Sequence, residues 1–185
     1  MVSIKAERIL REIEAMTERQ FLPIVGPEKG RVLVKVIRKT KPKRVLEIGT
    51  LIGYSAILMG KELDNDAQLV TIEIHADEAK MARENIERAE IPPAVRVVTG
   101  DARRILPRLD GTFDLVFIDA DKREYLEYLR IIEDRLRKGS VVIADNAGIF
   151  ADQIRDHLDY VRSSGRYSSR YVPVAGDGLE VSVKL

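Results

Sequence analysis

Hydrophobic positions along the chain follow two periods, and together they predict an α/β protein. Five short runs rich in valine, leucine and isoleucine have the length of strands, and they lie at 44–49, 68–74, 94–100, 113–119 and 140–145. The last two runs are apolar on both alternating faces, which is typical of strands covered by helices on each side. The pattern therefore predicts a doubly wound α/β sheet that is mostly parallel.

Helices are predicted between and after these strands, where apolar residues recur every three or four positions. Three stripes have this spacing: Ala79, Ala82, Ile86 and Ala89; Tyr125, Leu129, Ile132 and Leu136; and Ile154, Leu158 and Val161. We expect each stripe to make core contacts, with helices on both faces of the sheet.

The C-terminal segment has a different pattern. Leu179, Val181 and Val183 alternate with polar residues that include Glu180, as in a strand with one buried face. With the run at 171–174, this strand is predicted to close the sheet as an antiparallel hairpin.

The N-terminal segment carries two helical patterns, at 3–19 and 28–39, before the first strand. We expect them to cover the site or to form a dimer contact. A chain of 185 residues without repeats or long linkers fits one domain. The prediction is a single domain over 1–185, with a helical cap at 1–40 and a core at 44–185.

Composition narrows the possible chemistry. The chain has no cysteine, which removes thiolate catalysis, cysteine-bound zinc and iron–sulfur clusters. Its formal net charge of +1 offers no general attraction to nucleic acid or to an anionic membrane. No apolar run approaches the roughly 20 residues of a spanning helix. These features predict a soluble, cytoplasmic protein without a membrane partner.

Acidic residues follow the predicted strands at one edge of the sheet. In open α/β sheets, ligands bind outside the carboxyl ends of the strands. The residues at those ends are Glu47 and Gly49, Glu73, Asp101, Asp119, and Asp145 with Asn146. Carboxylates gathered at one edge would repel each other, so a ligand or a cation is expected there.

The first strand-to-helix turn, 47–55, has glycines four positions apart at Gly49 and Gly53. They would let a ligand approach the backbone, or they merely shape the turn. An acid that ends the next strand, here Glu73, normally holds ribose hydroxyls. Both phosphate-binding signatures, G-x-G-x-x-G and G-x-x-x-x-G-K-[ST], are missing. A nucleoside without phosphates fits this turn better.

Five motifs carry a family resemblance. VLEIGTLIGYS, TIEI, GDA, FIDADK and ADN, in this order and spacing, resemble the metal-dependent O-methyltransferases related to catechol and caffeoyl-CoA methyltransferases. The resemblance runs from VGPEKG at 25–30 to DGLE at 177–180. It implies a Rossmann-like fold that uses S-adenosylmethionine, a divalent metal, a small aromatic acceptor with vicinal hydroxyls, and a homodimer.

The same resemblance implies a cofactor site. The turn that begins at Gly49 would border the methionine part of S-adenosylmethionine, Glu73 would hold the ribose, and Asp101 with Ala102 would face the adenine. The full implied set is Glu47, Gly49, Thr50, Gly53, Tyr54, Ser55, Glu73, Ile74, Asp101, Ala102 and Asp119. For Glu47, a charge satisfied at the sheet edge is the alternative to direct contact.

By resemblance, Asp119, Asp145 and Asn146 would be the metal ligands. Three oxygen donors without histidine or cysteine favour Mg²⁺, Mn²⁺ or Ca²⁺ over zinc or copper. The alternative is that these polar groups only cap helices at the sheet edge. Asn146 would also contact the acceptor.

The resemblance makes Lys122 the general base and a substrate contact, and it makes Asp119 catalytic as well. Glu180, in DGLE, would lie beside the second acceptor hydroxyl. A solvated lysine and a solvent-exposed glutamate are the competing interpretations. Asp121 and Glu124 resemble a helix capping box.

His75 and His157 have no metal-ligand spacing and are interpreted as structural or surface residues.

Two other functions stay open. Relatives of this family are similar to enzymes that methylate a hydroxylated uridine in transfer RNA. Charged and aromatic residues that could contact a strand alternate at Arg162, Arg166, Tyr167, Arg170 and Tyr171. The basic cluster of Lys35, Arg38, Lys39, Lys41, Lys43 and Arg44 is interpreted as a solvated face. A nicotinamide-dependent dehydrogenase or a non-catalytic nucleoside-binding protein is the third hypothesis.

Overall fold

The computed structural model describes residues 4–185. The helices are α1 Ile4–Thr17, α2 Gly26–Thr40, α3 Tyr54–Gly60, α4 Ala76–Ala89, α5 Ala102–Ile105, α6 Tyr125–Ile132 and α7 Arg155–Ser163. The strands are β1 Arg44–Ile48, β2 Gln68–Glu73, β3 Ala94–Thr99, β4 Phe113–Ile118, β5 Leu136–Ala144, β6 Tyr167–Val174 and β7 Asp177–Lys184. Short 3-10 turns cover Leu106–Arg108, Lys122–Glu124 and Glu133–Arg135.

One seven-stranded sheet has the order β3-β2-β1-β4-β5-β7-β6. Strands β1 to β5 are parallel, and β7 runs antiparallel to both β5 and β6. This confirms the prediction of a Rossmann-like, doubly wound, mostly parallel sheet with a C-terminal antiparallel hairpin. The strand order reverses between β1 and β4, so the ligand crevice is expected at that point.

Apolar side chains cover the sheet on both faces. Val45 packs in a cluster that contains Leu33 of α2 and Ile57 of α3. Its neighbour Leu46 points the other way, into a cluster with Leu129 of α6. This alternation along β1 is why strands buried on both sides read as continuous apolar runs.

Helices α1 and α2 pack on the same face as α3 and α4. Arg88 of α4 pairs with Glu12 of α1, and Lys61, just after α3, pairs with Glu7 of α1. The segment 18–25 between α1 and α2 reaches the carboxyl edge of the sheet, where Phe21 lines a cavity. Among the described residues, none of the helices is both long and apolar enough to cross a bilayer.

Two details of the predicted pattern are wrong. Leu136 is not the last residue of a helical stripe, because α6 ends at Ile132 and Leu136 begins β5, opposite Phe113. The alternation at 179–185 does not mark a solvent-exposed face, since Glu180 and Ser182 are fully buried. Strand β7 lies between β5 and β6, so polar partners inside the sheet, and not water, satisfy these side chains.

Candidate active site

A cavity of about 830 Å³ lies along the carboxyl ends of β1 to β5. Nearly all the predicted site residues line it. They are Gly49, Thr50, Tyr54, Ser55, Glu73, Ile74, Asp101, Ala102, Asp119, Lys122, Asp145 and Asn146. Glu47, Gly53 and Glu180 are not among the lining residues. The strand register explains the convergence, because Ile48 is level with Ile72 on one side and Ile118 on the other.

Gly49 is required by the close approach of β1 to β4. Its φ is +97°, and a Cβ atom there would lie 1.9 Å from the carbonyl oxygen of Asp119. That distance is far inside van der Waals contact, so only glycine fits. The turn therefore passes directly beside Asp119.

Glu73 is held rigidly at the tip of β2. Its Oε2 accepts a hydrogen bond from the N–H of Leu51 at 2.8 Å, and its Oε1 accepts one from the N–H of His75 at 2.9 Å. Each carboxylate oxygen keeps a lone pair for a ligand hydroxyl. The ring of His75 lies on the same rim, where possible ligand atoms of Glu73, His75 and Glu78 are within 4.8 Å of one another.

Glu47 lies beneath the turn and not in the cavity. It accepts hydrogen bonds from the hydroxyls of Ser55 and Thr71. Burial, together with the charges of Asp119 and Glu73, raises its pKa to about 8, although those two hydrogen bonds act to lower it. Of the two interpretations of Glu47, the structure supports the satisfied buried group.

Asp101 caps α5 at the β3 end of the cavity. Its Oδ1 accepts a hydrogen bond from the N–H of Arg103 at 2.9 Å. The guanidinium of the same arginine also binds the carboxylate, and this hydrogen bonding lowers the pKa of Asp101. Its carboxylate is therefore fixed as an anion beside the buried Ala102.

Asp145 forms an ion pair with Lys29, a residue that the sequence analysis did not identify. Lys29 of α2 places Nζ 2.6 Å from Oδ1 and 2.8 Å from Oδ2 of Asp145. Only the Oδ2 contact has hydrogen-bond geometry, so Oδ1 is buried without a hydrogen bond. Burial and then the charge of Asp119 raise the pKa of Asp145 to about 7, against the opposing charge of Lys29.

Asp177 was also missed, although it belongs to the DGLE motif. It accepts hydrogen bonds from Lys29 Nζ at 3.0 Å and from Asn146 Nδ2 at 2.8 Å. Burial alone would raise the pKa of Asp177, but these bonds and one from the N–H of Ile149 lower it to about 2. Lys29 and Asp177 are far apart along the chain, so no local pattern could have paired them.

Lys122 lines the same cavity, beside Asp119. Its Nζ donates to Asp119 Oδ1 at 2.9 Å and to Tyr125 Oη at 2.7 Å. Asp121 caps this 3-10 turn by accepting from the N–H of Arg123. The second half of the predicted capping box is wrong, since Glu124 accepts instead from the hydroxyl of Tyr128 and pairs with Arg103.

Glu180 is not brought to this site. Its carboxylate accepts from Arg162 Nε at 2.9 Å, from Arg162 Nη2 at 2.6 Å and from Ser169 Oγ at 2.6 Å, on the side of β7 that α7 covers. The predicted contact with an acceptor hydroxyl therefore has no support in the structure. In the DGLE motif, the acid near the cavity is Asp177.

Four of the five arginine and tyrosine residues considered for RNA contact bind other groups of this protein. Arg162 pairs with Glu180, and Arg166 and Tyr167 bind Glu133. Tyr171 donates to the carbonyl oxygen of Asp177. In the basic cluster, Arg38 pairs with Glu62, and Lys43 with Asp64 and Asp66.

His157 is a structural residue of the core, which is the first of the two interpretations given for it. It is fully buried, with its ring edge-on to that of Tyr125 at 5.9 Å between centroids. Burial lowers its pKa to about 4, so the ring is neutral at neutral pH.

The sheet order, with a cavity at the carboxyl ends of the strands, is what the resemblance to S-adenosylmethionine-dependent methyltransferases implies. Residues 1–162 match a family model described as O-methyltransferase. Catechol O-methyltransferase B of Danio rerio is 39% identical over 180 residues, which cover 90% of this chain and 67% of that protein. The chain therefore belongs to the O-methyltransferase family and is an S-adenosylmethionine-dependent O-methyltransferase.

Solved structures agree with this assignment. The O-methyltransferase of Bacillus cereus, in complex with SAH, superposes with a TM-score of 0.86 at 30% identity, over 96% of this chain and 91% of that one. TomG of Streptomyces achromogenes, in complex with SAM, gives 0.85 at 27% identity, over 95% and 89%.

Proposed function

We propose that this protein transfers the methyl group of S-adenosylmethionine to one hydroxyl of a small aromatic vicinal diol, with a divalent cation held by Asp119, Asp145 and Asn146. The observation that carries the proposal is the division of one cavity into two ends. One end has the glycine turn and Glu73, and the other has three oxygen-bearing side chains beside Lys122.

The cofactor end suits the nucleoside and amino-acid parts of S-adenosylmethionine. The fixed carboxylate of Glu73 would accept hydrogen bonds from the two ribose hydroxyls. The turn at Gly49 would pass beside the methionine part, and Ala102 with Ile74 would line the adenine. Asp119 would border both ends, which places it between the donor and the cation.

The residues at the other end fit a hard divalent cation. Asp119, Asp145 and Asn146 offer oxygen, the donor that Mg²⁺, Mn²⁺ and Ca²⁺ prefer. Asp145 Oδ1 is buried without a hydrogen bond and has the Lys29 ammonium 2.6 Å away, so it already lies in a position that favours a positive charge. When bound, the cation would act as a Lewis acid that lowers the pKa of an acceptor hydroxyl.

Lys122 is the general base in this proposal. Its Nζ is fixed by Asp119 and Tyr125, at the end of the cavity that the acceptor would enter. In the proposed reaction, Lys122 acts as the neutral amine, whose Nζ takes the hydroxyl proton while the acceptor oxygen attacks the methyl carbon. The carbon–sulfur bond breaks, and S-adenosylhomocysteine leaves.

The mouth of the cavity favours a flat apolar acceptor. Phe21 is 93% exposed and Ile149 is 60% exposed, and both line the cavity together with Phe150. Large apolar side chains open to solvent at a cavity rim commonly mark a ligand-binding surface. A small aromatic ring could lie between them with its hydroxyls facing the three oxygen ligands.

The test is methylation of a catechol with Mg²⁺, before and after chelation, in wild-type protein and in Asp119→Asn. We expect chelation to abolish turnover and the variant to lose most of it, with a fall of at least about 100-fold, because a neutral ligand weakens cation binding. Calorimetric binding of S-adenosylhomocysteine is the control and should survive in both cases.

Full activity after exhaustive chelation would refute the metal role. Binding of NADH in preference to S-adenosylhomocysteine would refute the reaction. The homodimer implied by the resemblance is kept as part of the proposal, and sedimentation equilibrium tests it directly.

A further inference from the structure

Asp177, the first residue of β7, accepts four hydrogen bonds at the cation end of the cavity. Its Oδ1 accepts from the N–H groups of Gly148 at 3.1 Å and Ile149 at 3.0 Å. Its Oδ2 accepts from Asn146 Nδ2 at 2.8 Å and from Lys29 Nζ at 3.0 Å. The carboxylate thus binds the backbone and the side chain of one loop at the same time.

These contacts determine which way the Asn146 amide faces. A carboxylate has only acceptors, so the NH₂ of Asn146 must point to Asp177 and the amide oxygen must point away from it. The backbone of Asn146 is in the left-handed region, at φ +59°, which asparagine tolerates better than most residues. Metal ions such as Mg²⁺ bind the oxygen of an amide and not its NH₂.

We infer that Asp177 is a positioning residue, which fixes the Asn146 side chain so that its oxygen is available to a divalent cation. The inference rests on the metal site proposed above. Partners that orient a ligand commonly change metal affinity by about 10- to 100-fold when they are removed.

Another role for Asp177 would act through Lys29. The ammonium of Lys29 contacts both Asp177 and Asp145. If Asp177 served only to draw this ammonium away from Asp145, its loss would weaken cation binding by competition. The two roles predict different results once Lys29 is removed.

The central variant is Asp177→Asn, which keeps the size of the side chain. Gly148 and Ile149 both donate to Oδ1, so an oxygen is expected to stay at that position. The new NH₂ then faces Asn146, whose amide must turn its own oxygen toward it and its NH₂ toward the cation. We expect the Kd for Mn²⁺, measured by electron paramagnetic resonance of the free ion, to rise at least about 10-fold.

The Lys29→Met background separates the two roles. If Asp177 positions Asn146, Asp177→Asn should weaken Mn²⁺ binding by the same factor with or without Lys29. If the effect disappears in Lys29→Met, the carboxylate acts through the ammonium and the inference is overturned.

An exchange of the two side chains gives a rescue test. In Asn146→Asp with Asp177→Asn, an NH₂ again donates to an oxygen-bearing ligand, and the net charge equals that of wild type. We expect this double variant to bind Mn²⁺ within about threefold of wild type. If Asp177→Asn alone fails to fold, this double variant still tests the inference. A double variant that folds but binds Mn²⁺ as weakly as Asn146→Ala overturns it.

Binding of S-adenosylhomocysteine shows that each variant is folded and should change less than about twofold. Glu133→Gln is the matched control, because Glu133 is another buried acid that accepts from tyrosines and lies outside the cavity. It should leave the Mn²⁺ affinity unchanged. Wild-type protein that fails to bind Mn²⁺ overturns the proposed function itself, whereas wild-type binding with an unaffected Asp177→Asn overturns this inference alone.

Discussion

At the scale of single residues, Gly49 is the position where side-chain size decides whether the site can form. Gly49 and Gly139 both have positive φ, at +97° and +89°. A Cβ atom on Gly139 would meet nothing within 4 Å, whereas one on Gly49 would overlap the Asp119 carbonyl oxygen. The pair therefore separates backbone strain from steric overlap.

We expect Gly139→Ala to cost about 1–2 kcal/mol of unfolding free energy, the usual cost of a left-handed alanine. Gly49→Ala should cost more, because β1 and β4 must also move apart, and it should abolish binding of S-adenosylhomocysteine. Urea unfolding and calorimetry measure the two effects. Equal losses in both variants would show that the contact with Asp119 is not limiting.

The raised pKa of Glu47 makes the stability of the folded protein depend on pH. Its pKa in the folded protein is about 8, above the value of an unfolded glutamate. The folded state therefore holds a proton that the unfolded state releases, and this stabilisation is complete below about pH 4 and is lost as the pH rises to about 8.

In Glu47→Gln this loss is absent, so the unfolding free energy should fall less between about pH 5 and pH 8 than it does in wild type. The slopes of the two curves should differ by at most about 1.4 kcal/mol per pH unit. Urea unfolding with chelator present gives both curves. The effect of His157, which acts in the opposite direction as the pH falls from about 6.5 to 4, cancels in the difference. Parallel curves would contradict the assignment.

At the scale of elements, the sequence pattern predicts β1 to β5 well because each is an apolar run with a polar end. The pattern fails where polar residues are buried. Glu180 and Ser182 look solvent-exposed by alternation, yet both are fully buried, because hydrogen bonds inside the protein replace water. Leu136 continues a helical stripe by spacing, but its pairing with Phe113 across the sheet decides its conformation.

The residues of the candidate site also differ in how well the sequence predicts them. Residues at strand ends, such as Asp119 and Asp145, are predictable from the topology of a parallel sheet. Lys29 and Asp177 are not, because their meeting depends on how α2 and β7 pack around that edge.

The observed position of Glu180 predicts that its ion pair with α7 contributes to stability and not to acceptor binding. The ion pair with Arg162 ties this helix to β7, and Glu180 is the fully buried partner. Arg162→Ala should lower the unfolding free energy by about 1–3 kcal/mol, because it leaves a buried carboxylate without its charged donor. The KM for a catechol should not change. A raised KM with unchanged stability would instead return Glu180 to the acceptor site.

At the scale of the whole molecule, the cavity is assembled from the beginning, the middle and the end of the chain. Phe21 and Lys29 come from the N-terminal segment, and Asp119 and Asp145 from the central strands. Asp177, beside them, comes from the last strand. The apolar face of α1 packs in the same core cluster as α3, which holds the N-terminal segment against the rest of the protein. A ligand in the cavity would therefore contact residues that are far apart in the sequence.

We expect S-adenosylhomocysteine to raise the stability of the entire chain in one step. At about 100 times its Kd, a ligand that binds only the folded state adds about 2.7 kcal/mol, which for a chain of this size raises Tm by about 5–10 °C. Far-ultraviolet and near-ultraviolet circular dichroism should report one common transition with and without ligand. If the signals separate, and only one of two transitions moves with ligand, the N-terminal helices unfold independently of the site that they help to line.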